Sequence, residues 1–523
     1  MNSFYIIYRN QYLKRNIIKY IFEGSLLNVC LSRLNEYHEF LSLITNNTDN
    51  NNSTTYNNNN NISIRLIIKN HQEFKEYINH PYRYIVNTLH LGQLKNVSSF
   101  VNGGNKFDFG CIPESVTSLE FHISNDDIQG YGRFPQSITE LKVNTNMFFE
   151  YEGNLLDYLI HHLPPRLARL KLPSNVQIRE EWVVPESLVD LVCMFEASLC
   201  SNIVVAPTRV FKSSYVMINS IVELELLQSS KWMRSISIGA IHYPEQPHLF
   251  PPHIEEIVVY DHHDLHPVYL DKHMLPPCLT SLAVHQIDHP IARDTLPESL
   301  ISLTIDVYKH PIRIGVMPVG LTILYISCQH PLEPGTLPLS LTHVNLYGFN
   351  HPLRANVLPE GLQELTLSAF KNILEPKSLP RSLTFLQLNK FKGSFESVGP
   401  LNQLVKLHIH TMDASISTVI ANVKNLELLI KGPTIIHPSI LLHSTSIEKL
   451  ALYNHSRKLD RISLPPDFFP PTLIHLALFG FEIKSPNILP RDCIFFRHNI
   501  QDLDTNLLPP SVKYNKKEEY KIK

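Results

Sequence analysis

The 523-residue chain is short of charge and glycine, and each shortage excludes something. Charged residues make up 18%, below the roughly 25% usual for globular chains. The 46 Lys+Arg are balanced by 48 Asp+Glu for a net charge of −2, so the basic excess that nucleic-acid phosphates require is missing. Glycine (18) is outnumbered by proline (37), which reverses the usual order. Prolines at that density exclude long helices over most of the chain. No apolar run reaches the roughly 18 residues of a membrane-spanning helix, so no membrane partner is expected. The opening MNSFYIIYRN meets Arg9 after a short apolar stretch, unlike a signal peptide, and the expected location is cytoplasmic. The seven cysteines are odd in number and have no C-x-x-C spacing, which suggests neither a disulfide framework nor a zinc site. Most are expected to be buried thiols in a reducing compartment. The phosphate-cradling, zinc-protease and nucleophile-elbow motifs are missing, so no enzyme, cofactor or metal is expected.

What the chain has is a repeat. The pattern P-x-x-L-x-x-L-x-L runs from LPPCLTSLAV at Pro276 through Pro297, Pro318, Pro338 and Pro359 to Pro380, at spacings of 21, 21, 20, 21 and 21. Weaker copies start at Pro113, Pro135, Pro164, Pro185 and Pro251, then at Leu401, Ile420, Ser444 and Pro470, with degenerate ones at Pro490 and Pro509. Between Pro185 and Pro251 the register cannot be placed. That gap is about three repeat lengths, and degenerate coils are expected there rather than an inserted domain.

The alternation in L-x-L marks a short half-buried strand, and the proline suits the turn before it. One such unit cannot bury its apolar side alone, so stacked coils sharing a leucine core are expected. Phe349, Phe370 and Phe391, 21 apart, should stack inside the coil corners, with Phe481 in the matching place of its own repeat. His289, His310, His330 and His351 each precede proline at the same spacing and should form a ladder. A metal column is one reading of that ladder. Backbone hydrogen bonding is the blander and favoured one, because no carboxylates or thiolates share the phase.

The residues between the core leucines are the stronger functional surface. Tyr325, His343, Asn345, Phe385, Gln387 and His408 are the candidate partner-binding residues, since aromatics among adaptable polar groups suit protein recognition.

The units resemble FNIP repeats, which are related in architecture to leucine-rich repeats. Phe349, Asn350, Pro352 and Leu353 of LPLSLTHVNLYGFNHPL carry the motif best, and His289-Pro290-Ile291, His310-Pro311-Ile312 and His330-Pro331-Leu332 keep its second half. The resemblance covers roughly residues 110–490. It implies a β-rich fold, a single curved right-handed solenoid of about 21-residue coils with a parallel sheet, and it implies no established activity.

Residues 1–45 show helical periodicity in Ile6, Ile7, Leu13, Ile17, Ile18 and Ile21. They read either as a helical cap or, by resemblance to the F-box-like starts of FNIP-repeat proteins, as a segment docking a cullin–RING ubiquitin-ligase adaptor. Residues 46–61, with ten asparagines in sixteen positions, read as a disordered linker. Residues 62–110 read as a capping coil, 111–512 as the solenoid and 513–523 as a charged, disordered tail. The expected function is a non-catalytic protein-interaction scaffold, with a ubiquitin-ligase substrate receptor as the alternative.

Overall fold

The computed structural model describes residues 26–45, 62–92, 106–123, 129–145, 154–174, 176, 178–239, 250–259, 269–271, 274–409, 414–430, 441, 446–454 and 462–517. The chain forms two compact units, Met1–Ser237 and Ile238–Lys523.

Most coils begin at a proline. In every proline-led copy from Pro113 to Pro509, the proline carbonyl accepts the N–H of the first core residue three positions on, as Leu300 does to Pro297 at 3.0 Å. Proline fits the head of such a turn because its missing N–H is not needed there. The next carbonyl then ties the coil to its successor. Thr280 O accepts the N–H groups of both Ile301 and Ser302, at 2.8 and 2.9 Å, and Thr322 O does the same for Thr342 and His343. Serine in the P-x-S-L turns adds a second tie: Ser340 Oγ donates to Leu321 O at 2.6 Å, and Ser299 Oγ to Leu279 O at 2.7 Å.

In the second unit these turns launch strands Glu256–Val259, Ser281–Ile287, Ser302–Tyr308, Ile323–Ile326, His343–Leu346, Glu364–Thr366, Phe385–Leu388 and Lys406–Ile409. Asn425–Ile430, Lys449–Asn454, His475–Phe479, Phe495–His498 and Tyr514–Lys517 continue the same sheet in chain order. All the pairings described are parallel, and each shifts by about one repeat: Leu282 pairs with Leu303, Leu303 with Leu324, Leu324 with Val344. The three leucine positions become three buried columns. Leu300, Leu303 and Ile305 are 0% exposed, as are Leu321, Leu324 and Ile326. The unit is a parallel β-solenoid, as the repeat arithmetic requires.

The aromatic column is present. Phe349 and Phe370 stack at 6.2 Å between centroids and 7° between planes, Phe370 and Phe391 at 5.6 Å and 25°, and all three are buried. Phe481 is buried too. The one 20-residue spacing has a local cause: the coil after Pro318 is one residue shorter beyond its strand, and buried Cys328 occupies the corner there. Cys193 and Cys493 are buried where other coils have a core leucine, and burial pushes the Cys493 thiol pKa up to about 12. The seven cysteines form no disulfide, and Cys30 and Cys111 are exposed.

A feature not read from the sequence recurs three residues before the prolines. Asp294, Gly315, Gly335, Asn356, Lys377, Asp467 and Asn487 all have φ between 57° and 85°, the left-handed region. Glycine, asparagine and aspartate tolerate it, whereas lysine does not do so readily.

The first unit has the same construction with longer coils. Leu26–Val29, Ser63–Ile68, Thr88–Leu91, Ser118–Ile123, Glu140–Thr145, Arg169–Lys171 and Asp190–Val192 form a seven-stranded parallel sheet. Where coils run long they take helix: 29 residues separate Pro135 from Pro164, and Asn154–His161 is helical within them. In the sequence gap, Met194–Glu196 pairs in parallel with Phe211–Ile218, and Met233–Ile238 lies next to the latter. These are degenerate coils, as expected. The N-terminal expectation needs amending. Of residues 1–45, only 26–45 are described, and they open not with a helix but with a strand, Leu26–Val29, paired to Ser63–Leu66 of the sheet. The helix Leu31–Thr45 follows it. The segment 62–110 holds two strands of that sheet, Ser63–Ile68 and Thr88–Leu91, and a third, Lys106–Asp108, outside it. The helical positions 6–21 and the asparagine tract lie outside the described residues. No described helix is long and apolar enough to cross a membrane.

The left-handed position yields a test. Lys377→Gly should stabilise the protein by about 1 kcal/mol, and Gly335→Ala should destabilise it by a similar amount, although nothing lies within 4 Å of the added Cβ. Urea denaturation of the two variants checks this. Equal midpoints would show that the left-handed turn stores no strain.

Candidate functional site

Strand alternation sends every second residue of the second unit away from the core, and the register arranges those residues into columns. Tyr325 pairs with Asn345, Asn345 with Thr366, Thr366 with Gln387, and Gln387 with His408. The neighbouring column runs Ile323, His343, Glu364, Phe385, Lys406, Glu427. All six residues singled out in the sequence therefore share one sheet face. Four lie in the first column and two, His343 and Phe385, in the second.

Each of the six is half-buried rather than freely exposed, because neighbours in its column cover its flanks. Phe385 stands edge-on to the His408 ring at 5.0 Å. His408 Nδ1 is 3.4 Å from Gln387 Oε1, and its Nε2 lies 3.9 Å from Glu427 Oε1. Glu427 also faces Lys406 at 3.5 Å, and His343 Nε2 is 3.7 Å from Glu364. Asn345 Oδ1 is buried without a partner among the described residues. Opposite charges and ring–polar pairs sit one strand apart, so the face is adaptable and close to neutral.

Sequence reasoning missed the continuation of this face. Ala451 and Ala477 follow Glu427 in the second column, and their small side chains leave an open depression of about 340 Å³. Lys449, His475, Phe495 and Arg497 edge it, with His475 and Phe495 stacked at 4.3 Å and 2°. Burial, and next the Lys449 ammonium, lower the His475 pKa below the ordinary imidazole value. The sequence signal was the pair of alanines in a column of large residues.

The histidine ladder is built as the blander reading expected. His310 Nε2 meets Asp288 O at 2.6 Å, His330 Nε2 meets Lys309 O at 2.7 Å and His351 Nε2 meets Gln329 O at 2.8 Å. Each reaches the carbonyl preceding the histidine of the previous coil, and His289 bonds Leu270 O. In the next coil Asn372 Nδ2 takes the same role on Asn350 O, at 3.3 Å. Each imidazole thus bonds a backbone carbonyl of the preceding coil, so the ladder staples coils together.

The FNIP Repeat family model matches residues 286–329, 308–348, 329–368 and 349–391. These residues are FNIP repeats. The FNIP segment thus holds the spine of Phe349, Phe370 and Phe391, all four ladder histidines and five of the six face residues. Among solved structures, the chain is similar to CroV588, described as a novel circular LRR protein. The TM-score is 0.51 at 19% identity, over 86% of this chain and 68% of that one. It is also similar to YopM from Yersinia enterocolitica (TM-score 0.33, 17% identity, 77% and 91% covered). For the Toll–Spatzle complex of Drosophila the figures are 0.33, 13%, 84% and 60%. No curated protein matches the sequence. The CroV588 likeness agrees with the leucine-rich-repeat-like fold described for the two units.

His310→Leu removes one rung of the ladder and leaves the Asp288 carbonyl without that donor. It should cost about 1 kcal/mol, whereas His310→Asn should keep most of the stability, as Asn372 does naturally. Chemical denaturation of both variants decides. Equal losses would mean that the imidazole packs rather than bonds.

Proposed function

We propose that the protein is a non-catalytic, cytoplasmic protein-interaction scaffold that takes a protein partner on the strand face of its second unit. The reading rests on the alignment of Tyr325, Asn345, Gln387 and His408 in one column, beside His343 and Phe385 in the next. Rigid strands hold these side chains, so a partner would meet a preorganised surface and order few groups on binding. Half-buried aromatics flanked by polar groups resemble the anchors that dominate interfaces. The face ions are mutually paired, so the partner surface would be of mixed polarity rather than strongly charged.

The test is affinity capture with full-length protein, followed by reconstitution with the identified partner in purified form. Tyr325→Ala with Phe385→Ala should weaken binding by at least about tenfold, since each anchor is worth upward of 1 kcal/mol. Val319→Ser and Leu339→Ser, at exposed turn positions off the face, should leave it unchanged. Unaltered affinity in the face variant would move the interface elsewhere.

A further inference from the structure

The strand face of the first unit carries a different chemistry. Glu120 and His122 are alternate residues of strand Ser118–Ile123, so both point to the same side of the sheet. His90, on the adjacent strand Thr88–Leu91, is the register partner of Glu120. Parallel strands about 4.8 Å apart therefore bring together two imidazoles and a carboxylate from positions some thirty residues apart. Their ligand atoms lie within 4.8 Å of one another, and all three residues are half-buried. His90 Nδ1 is 3.3 Å from Glu120 Oε2. That matches the edge of about 3.4 Å in a tetrahedron of donors set about 2.1 Å from a zinc ion. The two imidazoles sit with centroids 5.4 Å apart. His122 has no hydrogen bond among the described residues, which leaves its ring nitrogens uncommitted. Asn144 Nδ2 donates to Glu120 Oε1 at 3.2 Å, holding the carboxylate by the oxygen that does not face His90. Support of that kind is characteristic of metal ligands.

A cation already answers these groups. Arg65 Nη2 lies 2.5 Å from both Glu120 Oε2 and His90 Nδ1. The guanidinium donates to the same lone pairs that a metal would use, so His90 presents an unprotonated Nδ1. The match is incomplete, because Arg65 Nε is buried without a partner.

We propose that His90, Glu120 and His122 form a three-ligand site for a borderline divalent transition metal, Zn²⁺ above all, from which the metal displaces the Arg65 guanidinium. Two imidazoles and one carboxylate are a donor set that zinc accepts, and three protein ligands leave a coordination position open to water or to a partner's side chain. The site lies in the first unit and does not depend on the partner-binding reading of the second.

The experiment titrates chelator-stripped full-length protein with Zn²⁺ in competition with a chromophoric chelator. The wild type should take up one equivalent. His122→Ala and Glu120→Gln should each weaken that binding by at least about tenfold, the low end of what losing even a supporting residue costs. Arg65→Gln should bind more tightly than wild type, because its competitor is gone, and misfolding cannot produce that gain. His285→Ala, a half-buried histidine of the second unit, should change nothing. Failure of either arm overturns the proposal: affinity unaffected by His122→Ala, or no tightening in Arg65→Gln. Equal losses in His122→Ala and His285→Ala would likewise overturn it, by showing adventitious binding only.

Discussion

No coil of this protein can shield its own leucines. Leu324 is fully buried because Leu303 and Val344 lie on its two sides, one strand spacing away in register. Cohesion is therefore between neighbours, as in other stacked repeats, and every other feature must respect the step from coil to coil. Truncating one such leucine to alanine would leave a void shared with adjacent coils, at a cost of about 2–5 kcal/mol. The polar ties obey the same step. The carbonyl shared by two amides, the serine of the turn and the histidine rung each bind one coil to the next.

The same constraint creates the surfaces. Since the core fixes alternate strand residues inward, the others form columns outward, and adjacent positions in a column meet whatever their distance in sequence. In the second unit this assembles aromatic and amide groups with paired charges. In the first it assembles two imidazoles, a carboxylate and a guanidinium. One backbone plan thus presents two chemically distinct faces, and the coil step decides which side chains become neighbours.

Much of this was legible in the sequence, because proline and leucine mark opposite ends of the same short segment in nearly every coil. The phase of the core, the phenylalanine spine and the identity of the face residues follow from those two letters. The region between Pro185 and Pro251 was not legible, for a physical reason. Ser214 and Ser235 occupy buried strand positions and satisfy their hydroxyls on Leu191 O and Lys212 O of the preceding coil. Polar letters there hid strands that are nonetheless core. The left-handed turn position was readable in Asp294, Gly315, Gly335 and Asn356, but Lys377 breaks the composition that would announce it. Pairings such as Phe385 with His408, or His90 with Glu120, needed the register itself. The second also lies where coils run about thirty residues and the 21-residue count does not apply.

The central claim is that the coil step, and not any individual contact, determines the fold. Deleting residues 359–379 removes one whole period and should let Leu386 stack directly on Val344, and Phe391 on Phe349. Circular dichroism with urea denaturation of that protein should show the same β signal per residue and a cooperative transition. Deleting only residues 359–369 should destroy both, because the columns would fall out of register. If the two deletions behave alike, or the whole-period deletion unfolds the unit, stacking by period is not what holds this protein together.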